Sequence, residues 1–289
     1  QEVAFTFAHA IAYVQAALDA GLDVNTFGQR LSFFFNCHAN FLEEIAKLRA
    51  SRRIWAQLLH ERYGADPKNC KLRTHVQTGG STMTYQQPEV NLIRGALQAM
   101  AGALGGVQSM AVSCFDEAFS IPSEFAQRMS LRTQQVVAYE SGITNVVDPL
   151  AGSYYIESLT DEIERRTWEW MAQVDAQGGA IRGVESGWLE QTVSDTAHGQ
   201  QLQIMNGTRT IVGVNDFKGT QGERPIETFR VDEQSEKEQI RRLEKVRAER
   251  DASEVDRTLD KLQKAVADGG NVMDAVIAAS KAHASQGEI

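Results

Sequence analysis

Cysteine is scarce in this 289-residue chain: Cys37, Cys70 and Cys114 are odd in number, far apart and without a C-x-x-C pair. No disulfide framework is expected, and the usage suits a reducing cytoplasm better than secretion. Basic charge is short as well, with 29 Lys and Arg against 38 Asp and Glu for a net charge of −9. No dense Lys/Arg cluster stands outside one mixed helix, so there is no electrostatic footprint for nucleic acid. Long apolar runs are missing. The opening stretch QEVAFTFAHAIAYVQAALDAGL carries Glu2, His9 and Gln15 and no basic leader, so it reads as neither a signal peptide nor a membrane span. The histidines are too scattered for a metal site. A nucleophile elbow, a P-loop and a dinucleotide fingerprint are all absent, which leaves hydrolase, kinase and dehydrogenase chemistry without support. What the chain does have is 42% hydrophobic and 23% charged residues, enough to bury a full core and too apolar for disorder.

Apolar residues at Val3, Phe7, Ala10, Ile11, Val14, Ala17 and Leu18 recur at helical spacing and predict an amphipathic helix stopped at Gly21. Leu31–Phe35 predicts a strand, and Asn40 with Glu43 gives a capping-box pattern opening a helix through about Tyr63. The grammar then repeats. Leu72–Thr78 predicts a strand, a Gly-rich turn follows, and Pro88 opens a helix whose Leu92, Ile93, Ala96, Leu97 and Met100 share a face. A third unit runs from a strand at Gln108–Ser113 to a helix from about Pro122 to Tyr139, with Gly142 as its stop. Three strand–helix units at roughly 35-residue spacing predict parallel strands with crossover helices, as in a doubly wound sheet or a (β/α) barrel. Three units cannot close a barrel, so the simplest expectation is an α/β chain holding the C-terminal part of a (β/α)8 TIM barrel.

Beyond Gly142 the pattern changes. DPLAGSYYIESLTDEI leads to a helix expected at about Thr160–Gln177, ended by Gly178-Gly179. A β-prone piece at Thr210–Val214 precedes a polar segment at Lys218–Pro225. One charged helix is then expected over Ser235–Ala267 and a final one over Asn271–His283. The expected division is a partial barrel over residues 1–142 and a mainly helical extension over 143–289.

In the strand Leu72–Thr78 the alternate residues Arg73, His75 and Gln77 point one way, putting three polar side chains on one face of an element expected to be buried on both. Either they line a site at the strand ends, beside a Thr78-Gly79-Gly80 turn that lets a ligand approach the backbone, or they satisfy one another inside the core. Arg30 and Ser32 flank the first strand, Gln108 starts the third, and Asp116-Glu117 follow it. An Arg beside a strand suits phosphate or carboxylate; an Asp-Glu pair is as readily a helix N-terminal charge. Polar strand ends without a nucleophile–base pair are compatible with a cofactor that carries the chemistry while the protein binds and orients.

The blocks RLSFFF, EEIAKLRASRRIWAQL, LRTHVQTGGSTMT, GALGGVQS, FDEAFSIPSEFAQR, QQVVAYESGITNVVDPLAGSYYIESLT and TIVGVN resemble the large subunit of the adenosylcobalamin-dependent acyl-CoA mutases, the methylmalonyl-CoA mutase family. The resemblance covers nearly the whole chain. It implies a radical isomerase: a cobalt–carbon bond breaks homolytically, the adenosyl radical takes a substrate hydrogen, and the carbonyl-CoA group migrates to the neighbouring carbon. It implies coenzyme A contacts at Arg30, Ser32 and Gln108, an approach of His75 to the acyl group, and a corrin-facing role for Gln77, Gly80, Glu117 and Ala118. The implied partners are an acyl-CoA substrate and a cobalamin-binding domain or small subunit, in a homo- or hetero-oligomer, with no nucleic acid and no membrane.

This sequence also departs from that pattern. Ser81 stands where methylmalonyl enzymes carry Trp, Met110-Ala111-Val112-Ser113 where they carry L-H-T-N, and Gly106 where they can carry His. The acyl group therefore stays open, with branched or substituted acyl-CoA beside methylmalonyl-CoA. A non-catalytic scaffold subunit of such a mutase is the rival expectation, which the Met110–Ser113 segment favours.

Overall fold

The computed structural model describes residues 1–219, 226, 228–230 and 232–289. Contacts group Gln1–Phe229 into one compact unit and Arg230–Ile289 into another.

In the first unit, helix α1 (Glu2–Asp19) and the short α2 (Val24–Phe27) lead into strand β1 (Phe33–Cys37) and helix α3 (Phe41–Gln57). Strand β2 (Thr74–Thr78) is followed by α4 (Val90–Leu104), and β3 (Ser109–Ala111) by α5 (Glu124–Tyr139). The strands form one parallel sheet in the order β1-β2-β3. This is the expected α/β pattern of strand, crossover helix, strand.

The strands begin two residues later than expected at β1 and β2, because Leu31 and Leu72 extend the apolar run without joining the ladder. Strand β3 is shorter than Gln108–Ser113 at both ends. On β1 the side chains of Phe33, Phe35 and Cys37 turn inward, whereas Phe34 is 61% exposed. The inner face packs on α1 and α3 around an aromatic cluster. Phe33 lies edge-on to Trp55 at 4.7 Å between ring centroids and to Phe7 at 5.3 Å. Burial of each such ring is worth about 1.5–3 kcal/mol, so this cluster fixes which face of the sheet is core and which stays open.

Helix α4 corrects an expectation. Its apolar set includes Ile93 and Leu97, both more than half exposed, while Asn91, Gly95, Gln98, Ala99 and Gly102 are buried. Small residues let the helix lie close to the sheet. Its polar ones tie down the loops: Gln98 accepts from the Gly79 N–H at 3.0 Å, and Asn91 donates to the Phe115 carbonyl at 2.9 Å. The Asn40 box also differs. Its side chain donates to the Glu43 carboxylate instead of capping a backbone N–H.

Helix α6 (Tyr154–Ala176) starts six residues before the expected Thr160, and it packs on α1 and α3. Arg49 of α3 reaches Asp148 and Glu157, while Arg53 reaches Asp161 and Glu164. Two helices absent from the sequence expectation follow, α7 (Gly179–Glu185) and α8 (Trp188–Met205). Thr210–Val214 forms no strand; an isolated bridge from Val212 to Asp216 closes a turn there. Residues 220–225 of the polar segment Lys218–Pro225 lie outside the described residues.

The second unit contains α9 (Glu233–Glu249), α10 (Ala252–Ala267) and α11 (Met273–Lys281). The single charged helix expected over Ser235–Ala267 is two, because the Asp251 side chain accepts from the N–H groups of Ser253 and Glu254 and starts a new helix.

Candidate functional site

Alternation along β2 buries Thr74, Val76 and Thr78 against the helices and leaves Arg73, His75 and Gln77 on the open face. Parallel register sets the neighbours: Phe34 and Ser109 flank His75 in one row, and Asn36 and Ala111 flank Gln77 in the next. Rows two residues apart are separated by about 6.6 Å along the strands.

At the N-terminal edge of the sheet, Ser32, Phe34, Arg73, His75, Gln108 and Ser109 help line a cavity of about 330 Å³. Three of the expected site residues, Ser32, His75 and Gln108, are thus brought together. Arg30 sits on an exposed turn outside that lining, with no hydrogen bond or ion pair among the described residues. Arg73 is a second exposed guanidinium, donating to the Gln29 carbonyl at 2.8 Å. Gln108 has a structural duty that its sequence position did not reveal. Its Oε1 accepts from the Thr74 N–H at 2.7 Å, standing in for the ladder where β3 begins.

At the C-terminal edge, Gln77 donates to the Ser113 hydroxyl at 3.4 Å. Ser113 is buried and committed to β2: its hydroxyl donates to the Thr78 carbonyl, and its N–H donates to the Thr78 hydroxyl, both at 2.8 Å. Gly80 stands against Glu117, since a Cβ there would lie 3.0 Å from Glu117 Oε1. Glu117 and Ala118 are exposed. The Asp-Glu pair divides in role. Asp116 is fully buried and accepts from the Ser123 N–H at 2.8 Å, holding the start of α5, whereas Glu117 turns to the open side.

One residue at this edge escaped sequence reasoning. His38 follows β1 directly, half-buried, with its Cδ2 3.2 Å from where a Gly79 Cβ would lie. Burial, then the positive charges of Arg209 and Lys47, hold its imidazole below the ordinary histidine range. A neutral ring at pH 7 follows. Ending the strand at Phe35 hid it; the polar alternation Asn36-x-His38 after the Phe run was the available signal. The thiols are not nucleophiles. Burial, then the Glu44 charge, pushes Cys37 up to about 12, and burial, then Asp116, pushes Cys114 up to about 11.

Below the open face, Lys47 is buried between Glu44 at 2.6 Å and Glu2 at 2.7 Å and donates to the Asn36 carbonyl at 2.7 Å. Burial opposes its charge, but the two carboxylates outweigh burial and hold the ammonium above the ordinary lysine range. Glu2 also accepts from the Asn36 N–H at 2.9 Å, covering the outer edge of β1.

The open face therefore carries polar groups from one strand end to the other, where an ordinary barrel packs its interior with branched apolar side chains. A family model described as methylmalonyl-CoA mutase matches residues 1–289. The 2-hydroxyisobutanoyl-CoA mutase large subunit of Aquincola tertiaricarbonis is 42% identical over all of this chain and 52% of its own length. The methylmalonyl-CoA mutase of Cereibacter sphaeroides is 44% identical over all of this chain and 41% of its own length, and that of Escherichia coli 39% identical over 40% of its own length. The chain thus spans about half or less of the length of the curated relatives it matches. With the match running from the first residue to the last, the chain belongs to the methylmalonyl-CoA mutase family.

Proposed function

We propose that this chain is the part of an adenosylcobalamin-dependent radical isomerase on which an acyl-CoA has its carbon skeleton rearranged. One observation carries the proposal: the residues sort by chemistry along the strands. Ser32 and Gln108 lie before β1 and β3 beside the exposed Arg73, with Arg30 two residues before Ser32 in the chain, His75 lies mid-sheet, and Gln77, Gly80 and Glu117 lie at the opposite end. An elongated polar ligand laid along this face meets them in that order over about 15 Å. Guanidiniums at its start suit the phosphates of coenzyme A, and a hydrogen-bonding imidazole in the middle suits a thioester carbonyl. The sheet is read as the last three units of a (β/α)8 barrel over residues 1–142. The part from 143 to 289 is read as a helical extension toward a cobalamin-binding domain or subunit.

The C-terminal edge fits a large flat cofactor. Glycine at position 80 leaves no side chain between the strand end and Glu117, so the surface there stays shallow. Gln77, Gly80, Glu117 and Ala118 would hold the corrin side of cobalamin, which supplies the hydrogen-abstracting radical chemistry that no side chain here can provide. The protein's own work is to bind coenzyme A at one end, orient the acyl group at His75, and keep water from the reacting carbons. Ala111, opposite Gln77, makes this row smaller than a His would. That favours a bulkier acyl group than methylmalonyl, and it is also the feature that suits a non-catalytic scaffold subunit.

The deciding experiment incubates the complete gene product with adenosylcobalamin and methylmalonyl-, ethylmalonyl-, isobutyryl- and 2-hydroxyisobutyryl-CoA, reading isomers by mass spectrometry. Turnover of one member supports the proposal and names the substrate. Absence of turnover with cobalamin and a small subunit both bound points to the scaffold or to an acyl group bulkier than the four tested.

A further inference from the structure

Phe34, His75 and Ser109 occupy a single row across the three strands. The His75 ring lies 5.1 Å from the Phe34 ring, centroid to centroid, at 39° between planes. On its other side His75 Nδ1 is 2.8 Å from the Ser109 hydroxyl. The ring is therefore held from both neighbouring strands, and Nδ1 is taken.

We propose that Ser109 is a positioning residue for His75: its hydroxyl donates to Nδ1, fixes the imidazole as the Nε2–H tautomer, and aims that N–H at the carbonyl oxygen of the bound thioester. The direction of the bond follows from the hydroxyl's freedom and the ring's preferred tautomer. The Ser109 hydroxyl has no other hydrogen-bond partner among the described residues. It is therefore free to turn its proton to Nδ1, whose lone pair is what the Nε2–H form, the commoner tautomer of a neutral imidazole in water, presents. A histidine nitrogen engaged in this way decides what the other nitrogen presents. A carbonyl oxygen accepts only, so an Nε2 without a proton would face it lone pair to lone pair. Phe34 adds a wall that stops the ring from swinging toward β1. Local sequence assigns Ser109 nothing beyond a place in the third strand, and the serine matters because register places it level with His75.

The aim toward a thioester rests on the acyl-CoA reading above; the tautomer does not. The experiment therefore uses two readouts on the complete protein. Histidine-selective 15N NMR is expected to show His75, assigned by its loss in His75→Ala, as the Nε2–H tautomer in the wild type. In Ser109→Ala it is expected to become a tautomer mixture, with Ser109→Thr restoring the wild-type pattern. Steady-state kinetics with the acyl-CoA that turns over is expected to show kcat about tenfold lower in Ser109→Ala, KM little changed, and recovery in Ser109→Thr. An Nδ1–H tautomer in the wild type, or one that Ser109→Ala leaves unchanged, overturns the inference whether or not the protein is active. A tautomer that responds as expected in a protein that turns over no acyl-CoA overturns the functional reading and leaves the role of Ser109 toward His75 standing. A tautomer that responds while kcat stays at the wild-type value refutes the aim toward the carbonyl.

Discussion

At the scale of single residues, the open face separates side chains that hold the sheet from side chains free to meet a ligand. His75 and Gln77 belong to the second kind, since neither is buried and each makes its side-chain bond to a serine on or just after β3. In the complete enzyme His75→Ala and Gln77→Ala are expected to lower turnover at least about tenfold, because each loses a group that orients a reactant. The melting temperature should stay within about 2 °C, as expected for substitutions outside the core. Unchanged kinetics in both variants would remove the site. Gln108 is of both kinds. Its substitution by Ala leaves the buried Thr74 N–H without its acceptor, at a cost of about 1–3 kcal/mol, and should also raise KM for the acyl-CoA. Denaturant melts read the first effect and initial rates the second; an effect on cobalamin affinity alone would mean that the two ends of the face are interchanged. Much of the arrangement of this candidate site was legible in the sequence. Strand alternation selected Arg73, His75 and Gln77, and the motif match supplied Gln108 and Glu117. His38 and Ser109 were not legible, since their roles come from the position of a strand end and from register between strands, neither of which is written in local composition.

At the scale of elements, the three strand–helix units were readable because turn residues bound each strand, β1 being an apolar run and β2 an alternation of buried and polar positions, and because each helix repeats at three and four. The buried face of α4 was not, because Asn91, Gly95 and Gln98 are chosen for closeness and for loop hydrogen bonds, which no hydropathy pattern records. Nor was the break at Arg250-Asp251, where charge runs on unchanged and only the Asp251 cap divides the helices. Beside the aromatic cluster that joins α1, α3 and β1 lies a polar contact, with Lys47 at its centre. Replacing Lys47 by Met strands Glu44 in a buried setting and should cost about 3 kcal/mol. The pH dependence has a definite sign. Because the folded state raises the Lys47 value above that of the unfolded chain, its stabilisation is fully present below about pH 10.4 and is lost as pH climbs through the folded value. Melts taken from pH 8 to 12 should show a stability loss at the alkaline end in the wild type that is smaller in Lys47→Met. Parallel curves would place the alkaline loss elsewhere.

At the scale of the whole molecule, the surface that remains exposed bears on how the protein exists in solution. Ile93 and Leu97 of α4 and Leu131, Val136 and Tyr139 of α5 are each about half exposed or more, and Val147 in the following loop is 96% exposed. Among the described residues, strand β3 has a hydrogen-bonded neighbour on one side only. Scattered exposed apolar residues are ordinary, but several on two neighbouring helices beside an open sheet edge amount to an association surface. The curated relatives are about twice as long as this chain or longer, so in them further chain is available to cover the equivalent surface. The 289-residue chain expressed by itself should therefore self-associate at micromolar concentration, measured by sedimentation velocity. The double variant Ile93→Ser, Leu97→Ser should shift that equilibrium toward monomer with little change in melting temperature, since neither side chain contributes to the core. In the complete protein the same two substitutions test whether the face is covered: there they should lower stability instead, because each would place a hydroxyl in a packed contact. A chain that stays monomeric at tens of micromolar, with the double variant indistinguishable from it, would show that this apolar face is ordinary surface.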